Sequence, residues 1–147
     1  LAGEINTAMP RHVVTRAAEA LDRQTGKGLN GAQVLLLGVA YKKNVDDMRE
    51  SPALVIWQLL EERGASVSYH DPHVAEIPPT RDHASLGGRR SVTLDAAALS
   101  AADLVLVVTD HAAVDYAQVA ETATLLVDTR NVMAPFRAAL GDRLVNG

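Results

Sequence analysis

"AQVLLLGVAYKKNVDDMRESPA" (Ala32–Ala53) runs from an unbroken apolar stretch through a charged turn into a helix start. A short run that is apolar at every position suits a strand covered on both faces, as in a parallel sheet. Ser51 followed by Pro52 supplies a hydroxyl N-cap with proline at the first helical position. Ala53, Val55, Ile56, Leu59 and Leu60 give that helix a buried face, Gly64 ends it, and "ASVSYHDP" (Ala65–Pro72) reads as a second strand closed by proline. Strand, helix and strand in this order form a βαβ unit, right-handed by the chirality of such crossovers. The turn itself is unusual. A dinucleotide-binding turn would read G-x-G-x-x-G so that backbone can touch a pyrophosphate, and here Gly38 is followed by Tyr41, Lys42 and Lys43 instead.

Working outward, the same alternation continues. Leu1, Ile5, Ala8, Met9, Val13, Ala17 and Leu21 fall at helical spacing over residues 1–24, interrupted by Pro10, which predicts a kink near Met9 or a helix that begins at Pro10. "TGKGLNG" (Thr25–Gly31) is a polar break. Residues 74–90 read as an irregular excursion, and "SVTL" (Ser91–Leu94) as a short third strand. Asp95 can cap a helix over "AAALSAA", "DLVLVVT" (Asp103–Thr109) is a buried fourth strand, "HAAVDYAQVAETA" (His111–Ala123) a helix, and "TLLVDT" (Thr124–Thr129) a fifth strand. The tail from Pro135 reads as loop or short helix. The fold class expected is α/β: a Rossmann-like three-layer sandwich with a mostly parallel sheet of about five strands, order 3-2-1-4-5, preceded by an N-terminal helix.

Composition narrows the function. With 147 residues the chain builds one core. Fourteen basic against 18 acidic residues, net −4, give no chain-wide attraction for nucleic acid or an anionic membrane, so any anion site is local. The absence of cysteine excludes disulfides, thiolate metal sites and a cysteine nucleophile within the chain. No apolar run is long enough to span a bilayer, and a cytoplasmic location is expected. The chain opens on Leu1 in what reads as mid-helix, which suggests a piece of something larger.

Ligands of open parallel sheets sit beyond the carboxyl ends of the strands, where strand order reverses. Reading those ends gives Tyr41, Lys42 and Lys43, then His70 and Asp71, then Thr109, Asp110 and His111, then Asp128, Thr129, Arg130 and Asn131. Lysine and arginine would meet there at the start of the helix after Ser51, with Tyr41 as a stacking face, an arrangement suited to a nucleotide diphosphate. Plainer readings stand beside each residue. The lysines can be solvated loop charges, Arg49 can join Asp46, Asp47 and Glu50 in a surface ion-pair knot, and Arg130 can pair with Asp128. Asp71 can read a ribose or cap the turn before Pro72. His70, His73, His83 and His111 lack metal-ligand spacing and read as turn or surface residues, so no metal site is expected.

"GVAYKKNVDDMRESPA", "YHDPHV", "TDHAAVDY" and "DTRNV" occur in the order and spacing of the C-terminal domain of the UDP-glucose/GDP-mannose dehydrogenase family, and "LAGEINTAMPRHVV" resembles the end of that family's central helix. The wording is closest to the branch acting on UDP-N-acetylhexosamines. The resemblance implies two regions, residues 1–26 as the end of the interdomain and dimerisation helix and residues 27–147 as a UDP-sugar-binding Rossmann-like domain. It implies an enzyme that oxidises a nucleotide sugar at C6 from alcohol to carboxylate, with two NAD per turnover and a cysteine thioester. Tyr41, Lys42 and Arg130 would contact the UDP-sugar, and Arg49 would reach NAD, which is bound mainly by an N-terminal domain that also carries the cysteine. No catalytic residue is assigned within this chain, which is expected to be inactive alone and to form a homodimer through its first helix. Two other classes fit the residues by themselves: a stand-alone nucleotide-binding module, and a purely structural dimerisation domain.

Overall fold

The structure, a computed structural model, describes residues 8–40, 52–79 and 84–146. Its centre is a five-stranded sheet, β1 (Gln33–Leu37), β2 (Ser66–His70), β3 (Leu104–Val107), β4 (Leu126–Asp128) and β5 (Leu144–Asn146), all parallel, in the order β2-β1-β3-β4-β5. Alternation of side chains along β1 and β3 splits the core in two. Val34, Leu36, Leu104 and Leu106 pack on the side of α1 (Ala8–Thr25) and α2 (Pro52–Glu62). Leu35, Leu37, Val105 and Val107 pack on the side of α3 (Ala96–Ala101), α4 (Tyr116–Thr122) and α5 (Arg137–Leu140). Both faces are covered, which is why Val34–Leu37 and Leu104–Val107 are apolar throughout, each such side chain contributing about 1.5–3 kcal/mol on burial. The three-layer α/β architecture is the one the sequence predicts.

The sheet order differs at its edges. Ser91–Leu94 is not a strand. Ser91 and Val92 donate their amides to the Ala75 carbonyl (2.9 Å) and the Tyr69 carbonyl (2.8 Å), and beside them lies only a single antiparallel bridge between Glu76 and Arg90. Asp95 follows at once and caps α3, its Oδ1 accepting from the Ala98 amide at 2.8 Å, so the chain turns before a ladder can form. The fifth strand comes instead from the tail, where Val145 sits opposite Val127 and the Arg16 guanidinium donates to the Asn146 carbonyl at 2.8 Å. The expected fourth and fifth strands are therefore β3 and β4, and their order after β1 is unchanged.

Pro10 lies in the first described turn of α1. Pro52 is the first residue of α2, as expected, and Gly64 follows its end with φ 92°, a conformation open to glycine. Val13, Val14, Ala17, Ala20 and Leu21 of α1 are buried in the chain's own core against α2 and the sheet. The apolar stripe of the first helix is thus covered between Val13 and Leu21, and among the described residues Met9, 47% exposed, is the large apolar side chain that stays outside. The excursion after β2 is not merely loop: Val74, Ile77 and Leu86 are buried, and the Tyr69 hydroxyl donates to the Val74 carbonyl at 2.9 Å.

Candidate functional site

The sheet order puts the exits of β1, β3 and β4 side by side, with the order reversing between β1 and β3. Tyr41, Lys42, Lys43 and Arg49 lie outside the described residues, so the site is built from what surrounds them. The β1 exit is Gly38–Val39–Ala40. Gly38 has φ 86°, and a Cβ on it would stand 2.6 Å from Thr109 Cβ and 2.8 Å from the Thr109 carbonyl oxygen. Glycine here lets the β1 exit lie flush against the β3 exit.

Asp71, at the β2 exit, ties that arrangement together. Its Oδ2 accepts from the amides of Val39 (2.8 Å) and Ala40 (3.1 Å) and from His111 Nε2 (3.0 Å), and its Oδ1 accepts from the His73 amide (2.8 Å). Asp71 and His111 are both buried, 2% and 0% exposed, and a buried carboxylate is tolerated when it is this fully bonded. Because a carboxylate only accepts, His111 Nε2 carries a proton. Thr109 Oγ1 donates to the Ala40 carbonyl at 2.8 Å, so both polar groups of the Ala40 backbone are engaged. In a dinucleotide-binding turn these first amides would be available to a pyrophosphate; here Asp71 already supplies the anion. Of the two sequence readings of Asp71, the turn-capping one holds and the ribose one does not. Of the turn and surface readings of His111, the turn one holds and the surface one does not, because its ring is buried against Asp71, 40 positions away in the chain.

Arg130 stands at the β4 exit, exposed, with its Nε donating to the Val108 carbonyl at 2.9 Å. It does not form the expected alternative pair: the Asp128 carboxylate is spent on backbone, Oδ1 accepting from the Arg130 amide (2.9 Å) and Oδ2 from the Met133 amide (2.8 Å). Asp128 thus winds the β4 exit into a tight turn in which Asn131 takes φ 60°. The Nη groups of Arg130 have no partner among the described residues, which leaves a guanidinium steadied at one nitrogen with two donors to offer. On the β2 side of the same rim a cleft of about 440 Å³ opens between His70, Ser91–Leu94 and the start of α4 at Ala113, Asp115 and Gln118. The His70 ring is steered by its Nδ1, which donates to the Val92 carbonyl at 2.7 Å. Among the described residues no group of three acidic or histidine side chains could hold a metal, and no helix is long and apolar enough to cross a membrane.

The helix after β3 begins at Tyr116, later than expected, because His111–Val114 forms a turn that delivers His111 to Asp71. The Tyr116 hydroxyl accepts from the His111 amide at 3.1 Å. Burial is the largest cause that pushes both Tyr116 and Tyr69 up to about 12. Each folded-state value lies above the usual 10, so the associated stability is present below pH 10 and is lost as pH rises from there towards 12. An alkaline absorbance titration of the folded chain is expected to show two of its three tyrosines ionising near pH 12. Ionisation of all three near pH 10 contradicts this packing.

Residues 35–135 match the UDP-glucose/GDP-mannose dehydrogenase family, UDP binding domain. The chain is 34% identical over 112 residues to a UDP-N-acetyl-D-mannosamine dehydrogenase of Methanococcus maripaludis, covering 75% of this chain and 22% of that protein. It is 32% identical over 136 residues to a UDP-glucose 6-dehydrogenase of Rhizobium meliloti, covering 85% of this chain and 27% of the relative. The crystal structure of NDP-N-acetyl-D-galactosaminuronic acid dehydrogenase from Methanosarcina mazei Go1 superposes with a TM-score of 0.75 at 27% identity, over 97% of this chain and 29% of that one. An α/β chain with this strand order and an exposed arginine at a strand exit is thereby placed: it belongs to the UDP-glucose/GDP-mannose dehydrogenase family and corresponds to its UDP binding domain. It spans about a quarter of the length of the relatives it matches.

Proposed function

We propose that this chain is the nucleotide-grasping part of a cytoplasmic, NAD-dependent UDP-sugar 6-dehydrogenase that serves polysaccharide synthesis. Residues 1–26 would belong to an interdomain helix and residues 27–147 to the UDP-sugar-binding domain. The observation that carries the reading is the exposed Arg130 guanidinium, anchored by Nε at the strand exit next to the one that leads into Tyr41 and Lys42. Arg130 and Lys42 would neutralise the diphosphate, Tyr41 would pack on the nucleotide, and Arg49 would reach towards NAD. NAD supplies the hydride acceptor, twice for each alcohol taken to a carboxylate. The β1 exit does not suit NAD as a Rossmann turn would, because its Val39 and Ala40 amides are given to Asp71, so the cofactor is assigned mainly to an N-terminal domain. A chain without cysteine offers no thiolate to carry an acyl intermediate. A homodimer built on the first helix draws no support from Val13–Leu21, whose apolar side chains face their own core.

The test is an amide chemical-shift titration of the 147-residue chain with UDP, repeated on Lys42→Ala, Lys43→Ala, Arg49→Ala and Arg130→Ala. Losing a charge-assisted contact at Lys42 or Arg130 is expected to weaken UDP roughly ten- to hundredfold, with Lys43→Ala and Arg49→Ala near the parent. Equal losses at Lys42 and Lys43 would mean diffuse attraction, and no loss at Lys42 or Arg130 places the nucleotide elsewhere. The same samples should reduce no NAD with UDP-sugars; turnover by this chain alone would overturn the division of labour.

A further inference from the structure

The nucleotide reading uses Arg130 and the residues after Ala40, yet a dense polar network among the described residues rests on other side chains. Asp71, His111 and Thr109 come from two strand exits and converge on the last two residues of a third. Ala40 is gripped by N–H through Asp71 Oδ2 and by carbonyl through Thr109 Oγ1, and Val39 is gripped by its own amide. His111 Nε2 shares the same carboxylate oxygen, while the His111 amide is held by the Tyr116 hydroxyl. Val108, which precedes Thr109, carries the carbonyl that anchors Arg130 Nε. From the cation to the β1 exit the path is therefore Arg130, Val108, Thr109, Ala40, with a hydrogen bond at each end.

We propose that Asp71, oriented by His111, is a positioning residue for nucleotide binding, which fixes Ala40 against Thr109 and so holds the β1 exit in place beside the β3 exit that anchors Arg130. The inference rests on the UDP reading above. A buried carboxylate is a poor choice where only stability is needed, since an apolar group of similar volume often serves as well or better. What a carboxylate offers is acceptors, and here they serve amides from the β1 exit and the turn after β2 together with the His111 ring. A contact to a diphosphate must be held to about half an ångström, and a shift of about 1 Å can cost a hundredfold. A network that engages both the N–H and the carbonyl of Ala40 fixes the β1 exit against the strand exit on which Arg130 is anchored.

The experiment measures UDP affinity of the chain and of Asp71→Asn, His111→Leu, His111→Gln and Thr109→Val by chemical-shift titration, below each melting temperature, with amide exchange of Val39 and Ala40 read on the same samples. Gln can place a donor near the position of His Nε2; Leu cannot. Asp71→Asn and His111→Leu are expected to weaken UDP roughly tenfold or more and to speed exchange at both amides, while His111→Gln stays within about threefold of the parent. Thr109→Val should follow the weakened pair, because it frees the Ala40 carbonyl. Unchanged affinity in folded Asp71→Asn and His111→Leu, even with a lowered Tm, overturns the proposal and leaves the network a stability element. If Asp71→Asn does not fold, the contrast between His111→Leu and His111→Gln decides, equal affinities overturning it. A parent chain that binds no UDP is a different failure: it removes the nucleotide reading itself, and the role assigned to Asp71 with it.

Discussion

Gly38→Ala will lower the unfolding free energy by about 2–5 kcal/mol in urea melts, with the fold recovered at low denaturant. Two costs add. A non-glycine residue in the left-handed region loses about 1–2 kcal/mol, and φ at Gly38 is 86°. A methyl group there also meets Thr109 Cβ at 2.6 Å and the Thr109 carbonyl oxygen at 2.8 Å. The oxygen belongs to backbone and cannot swing away, so β1 and β3 must part locally, a strain of about 1–3 kcal/mol. Gly28→Ala is the control, because Gly28 has an ordinary φ and open space around it, and it should change stability by less than about 0.5 kcal/mol. A Gly38→Ala variant as stable as Gly28→Ala would mean that the two strand exits do not touch as described.

This glycine shows which parts of the molecule the amino-acid sequence discloses. β1, β3 and β4 are legible because burial on both faces demands unbroken apolar runs at their centres, and Pro52 and Asp95 mark helix starts by local chemistry. β5 is not legible, since Leu144–Asn146 is short and half-exposed, and its status as a strand depends on register with Leu126–Asp128. Ser91–Leu94 shows the opposite error: the alternation of a strand is there, but its amides go to Ala75 and Tyr69 and a capped helix follows at once. Arg130 is singled out as a candidate by its place just after a strand, a rule about topology. The Asp71–His111 pair was missed because no local pattern joins residues 40 apart; only the parallel register of β2, β1 and β3 brings their exits together. One signal was available: Asp before Pro72 and His two places after Thr109 are both polar residues at the ends of strands whose neighbours are apolar.

Asp71→Ala is expected to be the more damaging change, costing about 3–5 kcal/mol, because several buried donors lose their acceptor together. It strips the acceptor from the amides of Val39, Ala40 and His73 and from His111 Nε2 in a single step. Val39, Ala40 and His111 are buried, and each of their donors left without an acceptor costs about 1–3 kcal/mol unless water reaches it. The sum of those penalties exceeds the expected loss, so water must enter the space vacated beside His111 and restore part of the bonding. His111→Ala alone removes one donor and leaves the carboxylate three amides, and is expected to cost less. A double-mutant cycle then isolates the pair: Asp71→Ala with His111→Ala should be less destabilised than the two single losses added together, by about 1–3 kcal/mol, because the ring deprived of its acceptor is no longer there. Additivity to within about 0.5 kcal/mol would show that the 3.0 Å contact carries no coupling. In that event Asp71 would act on the backbone amides alone, and His111 would be a packing residue that happens to touch it.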